Sequence, residues 1–305
     1  MNRIYLADNL EVLRALEDGC ANLIYIDPPF NTGKSQSRTQ IKAIQSEHGD
    51  RVGYKGRRYQ TVKIGRRAFV DIFDDYLEFL EPRLQEAHRV LAADGTLYLH
   101  VDYREVHYVK ILLDAIFGRD CFVNEVIWAY DYGGRTTKRW PPKHDNILVY
   151  AKDPDNYTFN VEAIDRIPYM APDLVGPEKA ARGKLPTDTW WHTIVPTNGK
   201  EKTGYPTQKP LGILKRIVQA SSNAGDLVLD FFAGSGTTGA ACIALGRQFI
   251  LVDNNPEALQ VMARRFDGVS GIEWIGFDEK PFQSAQRQPV LFDDAVPQAG
   301  RDHAR

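Results

Sequence analysis

Leu227-Val228-Leu229-Asp230-Phe231-Phe232-Ala233-Gly234-Ser235-Gly236-Thr237-Thr238-Gly239 decides the fold. The run 227–231 reads as a buried strand, 234–236 as a tight glycine turn, and 237–245 as a helix. Glycines at such a turn let the backbone fold back sharply and let a ligand approach the main chain. The next strand, 248–252, leads to Asp253, 19 residues after Gly234. A carboxylate there suits ribose hydroxyls. Gly239 completes Gly-x-Gly-x-x-Gly, so a nicotinamide dinucleotide is one ligand to weigh, beside a tight turn with no ligand at all. Two features oppose the dinucleotide. Only two strands follow the turn, too few for a six-stranded nucleotide domain, so N-terminal strands must complete the sheet. Asp230 also sets a carboxylate beside the loop, where it repels a pyrophosphate and suits a cation.

Working outward, strands and helices alternate. Strands are expected at 3–7, 22–26, 96–101, 123–130, 146–151 and 272–276. Helices are expected after Asp8 or Asn9, at 71–90 with Pro82 as a flaw, at 104–117, at 211–222 and at 256–266. This alternation predicts an α/β fold, a doubly wound, mostly parallel sheet covered on both faces. Residues 153–206 show weak periodicity but hold Tyr169, Trp190 and Trp191, which suits an inserted lobe. Of the two adjacent Trp, one is expected in a core and one at the surface.

The 305 residues carry 38 Lys+Arg and 40 Asp+Glu, a formal net charge of −2, which by itself does not favour nucleic acid. The sum conceals an uneven distribution. Residues 31–70 hold ten Lys and Arg against Glu47 and Asp50, a net of +8, leaving −10 on the rest. That segment reads as a mobile basic excursion with a little local structure. A second cationic and aromatic cluster lies at 130–144, with Tyr130, Tyr132, Arg135, Lys138, Arg139, Trp140 and Lys143. No apolar run approaches the roughly 18 residues of a membrane span, and the N-terminus lacks an apolar signal core. Cys20, Cys121 and Cys242 form no CxxC pair, and the seven His show no HxxxH spacing, so no metal is expected. A cytoplasmic protein, nucleoid-associated if it binds DNA, is the expectation.

Asp27-Pro28-Pro29-Phe30 ends the expected strand 22–26. The carboxyl ends of strands are where open α/β sheets bind ligands. There Asp27 can accept a hydrogen bond from an exocyclic amine. Proline keeps its carbonyl, so the Pro28 C=O can accept a second. Two acceptors favour the pyramidal geometry that exposes the amine lone pair. Phe30 offers a flat face to a base.

With both motifs in hand, the chain resembles the DNA amino-methyltransferases, which methylate adenine N6 or cytosine N4 using S-adenosylmethionine. The catalytic tetrapeptide precedes the cofactor motif, with an insert between. That order is similar to the circularly permuted β-class, and Thr207-Gln208-Lys209-Pro210 resembles its Thr-x-Lys-Pro element. The resemblance covers roughly 1–153 and 204–276. It implies a Rossmann-like methyltransferase domain: a catalytic half at 1–153 with the basic segment 31–70 inserted, a target-recognition lobe at 154–203, a cofactor half at 204–283 and a polar tail at 284–305.

The resemblance also implies roles. Asp27 and the Pro28 carbonyl would hold the target amine, Pro29 would complete the loop, and Phe30 would stack on the base. Phe231, Phe232, Ala233, Gly234, Ser235, Gly236 and Thr237 would shape the cofactor pocket. Asp230 would hold the methionine ammonium and Asp253, with Asn254 beside it, the ribose. Thr207 and Lys209 would flank the methionine carboxylate, and Asp8 would lie near the adenine. An Asp opening the tetrapeptide is commoner with adenine N6 targets. The implied reaction is direct attack of a flipped-out amine on the methyl group, with no covalent enzyme intermediate. Double-stranded DNA would contact Arg57, Arg58, Arg66 and Arg67 in the basic segment and Arg135, Lys138 and Arg139 in the second cluster. A homodimer and a cognate restriction endonuclease are further partners to expect. A cytosine-N4 enzyme, an RNA methyltransferase and a non-catalytic DNA-binding relative are the alternatives.

Overall fold

The computed structural model describes residues 1–30, 36–45, 51–52, 58–69, 76–134, 136–196 and 199–283, with backbone alone for 36–45, 51–52 and 58–69. The tail 284–305, Arg57 and Arg135 lie outside the described residues. Among the described residues, twelve strands and seven α-helices follow in chain order: β1 Asn2–Leu6, α1 Asn9–Ala15, β2 Ala21–Ile26, β3 Gln36–Gln45, β4 Arg51–Val52, β5 Arg58–Phe69, α2 Tyr76–Val90, β6 Leu91–Val101, α3 Val106–Phe117, β7 Phe122–Ala129, β8 His144–Ala151, α4 Pro177–Arg182, β9 Thr189–Trp191, α5 Leu211–Ser221, β10 Leu227–Asp230, α6 Thr237–Leu245, β11 Gln248–Asp253, α7 Pro256–Arg265 and β12 Ile272–Ile275.

Nine strands form one sheet in the order β12-β1-β11-β10-β2-β6-β8-β7-β9. From β12 to β6 every pairing is parallel, while β8 runs antiparallel to both neighbours. The N-terminal strand lies between β11 and β12, pairing Asn2 with Ile272. The chain's first strand thus completes the half built by its last, as a permuted connection requires. At the centre β10 and β2 run side by side, with Val228 opposite Leu23. The chain leaves β10 toward β11 on one side and β2 toward β6 on the other. That reversal opens a crevice at the carboxyl ends of the two strands, the usual ligand site of a doubly wound sheet.

The strands read as continuous apolar runs because both faces are buried. Along β10 and β11, Val228, Phe249 and Leu251 face one core, while Leu229, Ile250 and Val252 face the other. Helices α5, α6 and α7 pack on the first face, and α1, α2 and α3 on the second. Local signals set several boundaries. Asp8 caps α1 by accepting the Leu10 N–H at 2.8 Å. Gly118, at φ +94°, ends α3. Asn255 caps α7 with Pro256 in its first turn.

Three expectations change. Segment 31–70 holds more than a little local structure, because β5 pairs antiparallel with β3 over its length and with β4 at its start. The β-branched residues Thr39, Ile41, Thr61 and Val62 suit strands, and the main-chain ladder forms whatever charge the side chains carry. Strand β6 starts at Leu91, not 96, because a register shift against β2 absorbs the Asp94-Gly95 turn signal. The inserted lobe is not wholly separate, since β9 extends the main sheet by pairing parallel with β7. In β9 Trp190 is buried and Trp191 is 78% exposed, the expected division.

Candidate active site

The turn after β10 is held by its own carboxylate. Asp230 is buried; one oxygen accepts the Phe232 N–H at 3.0 Å and the other the Thr238 hydroxyl at 2.5 Å. It clasps both ends of the loop. Burial pushes its pKa up to about 7 against these hydrogen bonds. Gly234 and Gly236 take φ of +50° and +71°, which L side chains resist. The Gly234 N–H donates to Asp253 at 2.8 Å, and the other Asp253 oxygen accepts the Asn255 N–H at 2.9 Å. Burial likewise pushes Asp253 up to about 6.

The loop after β2 lies across the crevice. The Lys209 ammonium pairs with one Asp27 oxygen at 2.5 Å and stands 4.9 Å from the Phe30 ring centroid. The other oxygen, Oδ1, is buried and has no hydrogen-bond partner. Behind it stands fully buried His100, its Nδ1 4.0 Å from that oxygen. The Tyr25 hydroxyl lies 3.0 Å from the same nitrogen. His100 Nε2 lies 3.2 Å from Asp145, whose other oxygen accepts the Tyr130 hydroxyl at 3.0 Å. Burial raises the Asp145 pKa, but the hydrogen bond and charge of His100, aided by Lys209 and Tyr130, outweigh it and hold the carboxyl below its ordinary range.

Both loops open on one cavity of about 610 Å³. Asp27, Pro28, Pro29, Phe30, Asp8, Asp230, Phe231, Phe232, Ala233, Gly234, Ser235, Thr237, Asp253, Asn254, Thr207 and Lys209 all line it. Gly236 does not. A Cβ there would meet Met262 Cγ at 2.8 Å and Phe266 at 3.1 Å, so this glycine serves helix packing. A Cβ on Gly234 would lie 3.2 Å from the Tyr205 ring, inside the lining. Thr207 has φ +58°, the only positive φ outside glycine among the described residues. A β-branched residue there is strained by about 1–3 kcal/mol, a cost met at functional sites.

Two expected roles look different in place. Asp230 spends both oxygens inside its own loop, and Lys209 meets Asp27. Sequence reading missed Tyr25, Asn9, Arg83 and Tyr205 in the lining, and His100 and Asp145 behind it. Arg83 donates to Asn9 at 2.6 Å and to Asp8 at 3.3 Å, and Asn9 donates to the Phe231 carbonyl at 2.8 Å. One signal was available: His100 interrupts an apolar strand that is buried on both faces.

Of the candidate DNA contacts, Arg58, Arg66 and Arg67 lie on β5, with Arg66 opposite Thr39 and Arg67 opposite Arg38. Lys138 and Arg139 are exposed on the turn between β7 and β8, next to Trp140, which is 94% exposed. Arg139 donates to the Tyr103 hydroxyl at 3.3 Å. That turn begins at Tyr130, the outer end of the Asp145 chain.

A doubly wound sheet whose central crevice joins a glycine turn to an Asp-Pro-Pro-Phe loop is a Rossmann-like methyltransferase fold. Residues 21–264 match the DNA methylase family of N6 and N4 methyltransferases, and the chain belongs to that family. It is 32% identical over 276 residues to the type II methyltransferase M.HpaI of Haemophilus parainfluenzae, covering 90% of this chain and 76% of that one. It is also 32% identical over 276 residues to the DNA adenine methyltransferase YhdJ of Escherichia coli K12, covering 86% and 82%. Among solved structures, the cytosine-N4-specific PvuII DNA methyltransferase superposes with a TM-score of 0.60 at 15% identity, covering 92% of this chain and 90% of that one. The M1.HpyAVI–SAM complex gives 0.53 at 22%, covering 87% and 100%. These two likenesses concern the fold.

Proposed function

We propose that this chain is an S-adenosylmethionine-dependent DNA methyltransferase that methylates adenine N6 at a specific site. The observation that carries this reading is the shared cavity. Asp27 and the glycine turn reach it from adjacent strands, so an amine held by one faces a cofactor held by the other. The cavity falls within the roughly 300–1,000 Å³ usual for small-molecule sites. Its lining fits the cofactor: Phe79, Phe232, Ala233 and Pro256 give apolar surface, and Asp8, Asp253 and Asn254 give polar partners. The Gly234 cradle is a space that a Cβ would invade.

Bound there, S-adenosylmethionine supplies an activated methyl group. Asp27 and the Pro28 carbonyl accept the two N–H bonds of the amine and aim its lone pair. Phe30 stacks on the base. Lys209 holds the outer Asp27 oxygen, which leaves Oδ1 to accept from the amine. Orientation and fixed charge supply the catalysis. Asp27 at the head of the tetrapeptide favours adenine as target, as does the name of the YhdJ relative. The basic segment 31–70 and the 130–144 turn grip phosphates, and 154–203 reads the site.

The test is to incubate the protein with unmethylated DNA and cofactor labelled in the methyl group, digest the DNA to nucleosides and separate them. Label in N6-methyladenine is expected. Label in N4-methylcytosine would overturn the target, and unlabelled DNA would overturn the activity.

A further inference from the structure

An amine that gains a methyl carbon must lose a proton. Asp27 is the acceptor at hand, yet Lys209 already holds its outer oxygen. The inner oxygen is buried, unpartnered and 4.0 Å from His100 Nδ1. A buried acceptor left unpaired is costly unless a function keeps it so. We propose that His100, braced by Asp145, takes from Asp27 the proton that the target amine gives up. This rests on the methyl transfer proposed above.

The hydrogen-bond geometry supports it. With Nε2–H donating to the Asp145 carboxylate, Nδ1 carries the free lone pair and accepts from the Tyr25 hydroxyl. Burial, then the charges of Asp27, Asp230 and Asp145, raise the Tyr25 pKa well above its ordinary value, so the hydroxyl keeps its proton. The balance of the step is simple. The nitrogen–carbon bond forms, the sulfur–carbon pair stays on sulfur, and one N–H proton passes to Asp27 Oδ1. A small rotation of Asp27 closes the gap to Nδ1, and the proton moves there. The Tyr25 hydroxyl turns from donor to acceptor. The imidazolium then lies between Asp27 and Asp145, which favour its charge.

Every group facing the ring fits this sequence. From β2 come Tyr25 and, at its end, Asp27; Phe30 packs 5.7 Å away. From β7 comes the neutral Trp128, edge-on at 5.5 Å, and from β8 Asp145. Lys209, before α5, is the nearby cation and is held off by Asp27. The ring is fully buried, so once a flipped base seals the cavity an internal acceptor takes the place of water. His100 is a positioning residue, because it acts through Asp27.

Two measurements on the full chain test this. Single-turnover methyl transfer is followed against pH for wild type, His100→Gln, Asp145→Asn and Tyr25→Phe, with cofactor affinity measured on each as a check of folding. The expected result is a rate about 100-fold lower in His100→Gln, with one ionisation of the wild-type profile gone, and a similar loss in Asp145→Asn. Tyr25→Phe keeps that ionisation even where its rate falls. Independently of turnover, nitrogen-15 NMR of the seven histidines, with His100 assigned by its absence in the Gln variant, is expected to show the Nε2–H tautomer. The proposal is overturned by a His100→Gln profile that superimposes on wild type after scaling, or by an Nδ1–H tautomer. It is also overturned if Tyr25→Phe loses the same ionisation as His100→Gln, which marks a merely structural His100–Tyr25 pair. Wild-type protein that leaves DNA unlabelled marks failure of the underlying function instead, and the NMR result still stands.

Discussion

Replacing each of two glycines two residues apart with alanine separates stability from cofactor binding. At Gly236, φ is +71° and a Cβ would lie 2.8 Å from Met262 Cγ and 3.1 Å from Phe266. The left-handed backbone costs an alanine about 1–2 kcal/mol. Overpacking against buried α7 side chains adds about 1–3 kcal/mol. Gly236→Ala is therefore expected to lose about 2–5 kcal/mol, which at roughly 3 °C per kcal/mol lowers the Tm by about 6–15 °C. Cofactor affinity of the folded fraction stays close to wild type, because Gly236 does not line the cavity. At Gly234, φ is +50° and the nearest contact is the Tyr205 ring at 3.2 Å. The backbone cost is similar, but the ring yields into the cavity. Gly234→Ala is thus expected to lose only about 1–2 kcal/mol of stability. Its cofactor Kd rises about tenfold, equivalent to roughly 1.4 kcal/mol. Denaturant melts and calorimetric titration of both variants decide the matter. A weaker-binding Gly236→Ala with an unchanged Tm would refute the packing role, and a Gly234→Ala that binds normally would refute the cradle.

Three further outcomes are expected. Asp27→Ala abolishes transfer of labelled methyl to DNA while cofactor binding survives; retained turnover would exclude Asp27 as the amine's acceptor. Asp230 titrates at about 7 in the fold, far above its ordinary 3.8, so the folded state holds an extra proton between those values. Ligand-free stability is then greatest on the acid side of that window and falls as pH rises through 7, by up to about 1.4 kcal/mol per pH unit. Melting curves of Asp230→Asn should show a shallower slope, and parallel slopes would refute the assignment. Reversing the charge at Arg57, Arg58, Arg66 and Arg67 together should raise the DNA Kd and flatten its salt dependence by about 0.9 in slope per lost phosphate contact; an unchanged slope would remove this segment from the DNA interface.

The strand–turn–helix at 227–245 and the double proline after Ile26 were legible because each is a local necessity. A backbone turning that tightly needs positive φ, and a ladder cannot cross two prolines. The expected helices appear close to their predicted limits for the same reason, with Asp8, Gly118 and Asn255 acting on neighbours within a few residues. The paired strands within 36–69 were hidden because their pairing joins residues far apart in the chain, such as Thr39 and Arg66. The role of Lys209 was hidden for a similar reason, since the cation lies 182 positions from Asp27 and only the sheet order brings them together.

By itself, the sequence determined the alternation of strands and helices, the two loops that carry chemistry and the family they mark. Those features depend on short-range sterics, hydrogen-bonding capacity and periodicity, all present in the chain before it folds. Tertiary structure alone decided that β1 enters between β11 and β12. It also decided that Gly236 packs while Gly234 cradles, and that Asp27 lies between Lys209 and a buried His100–Asp145 pair. Those outcomes depend on which side chains meet across the sheet after burial has removed water. Local sequence carries no record of that selection.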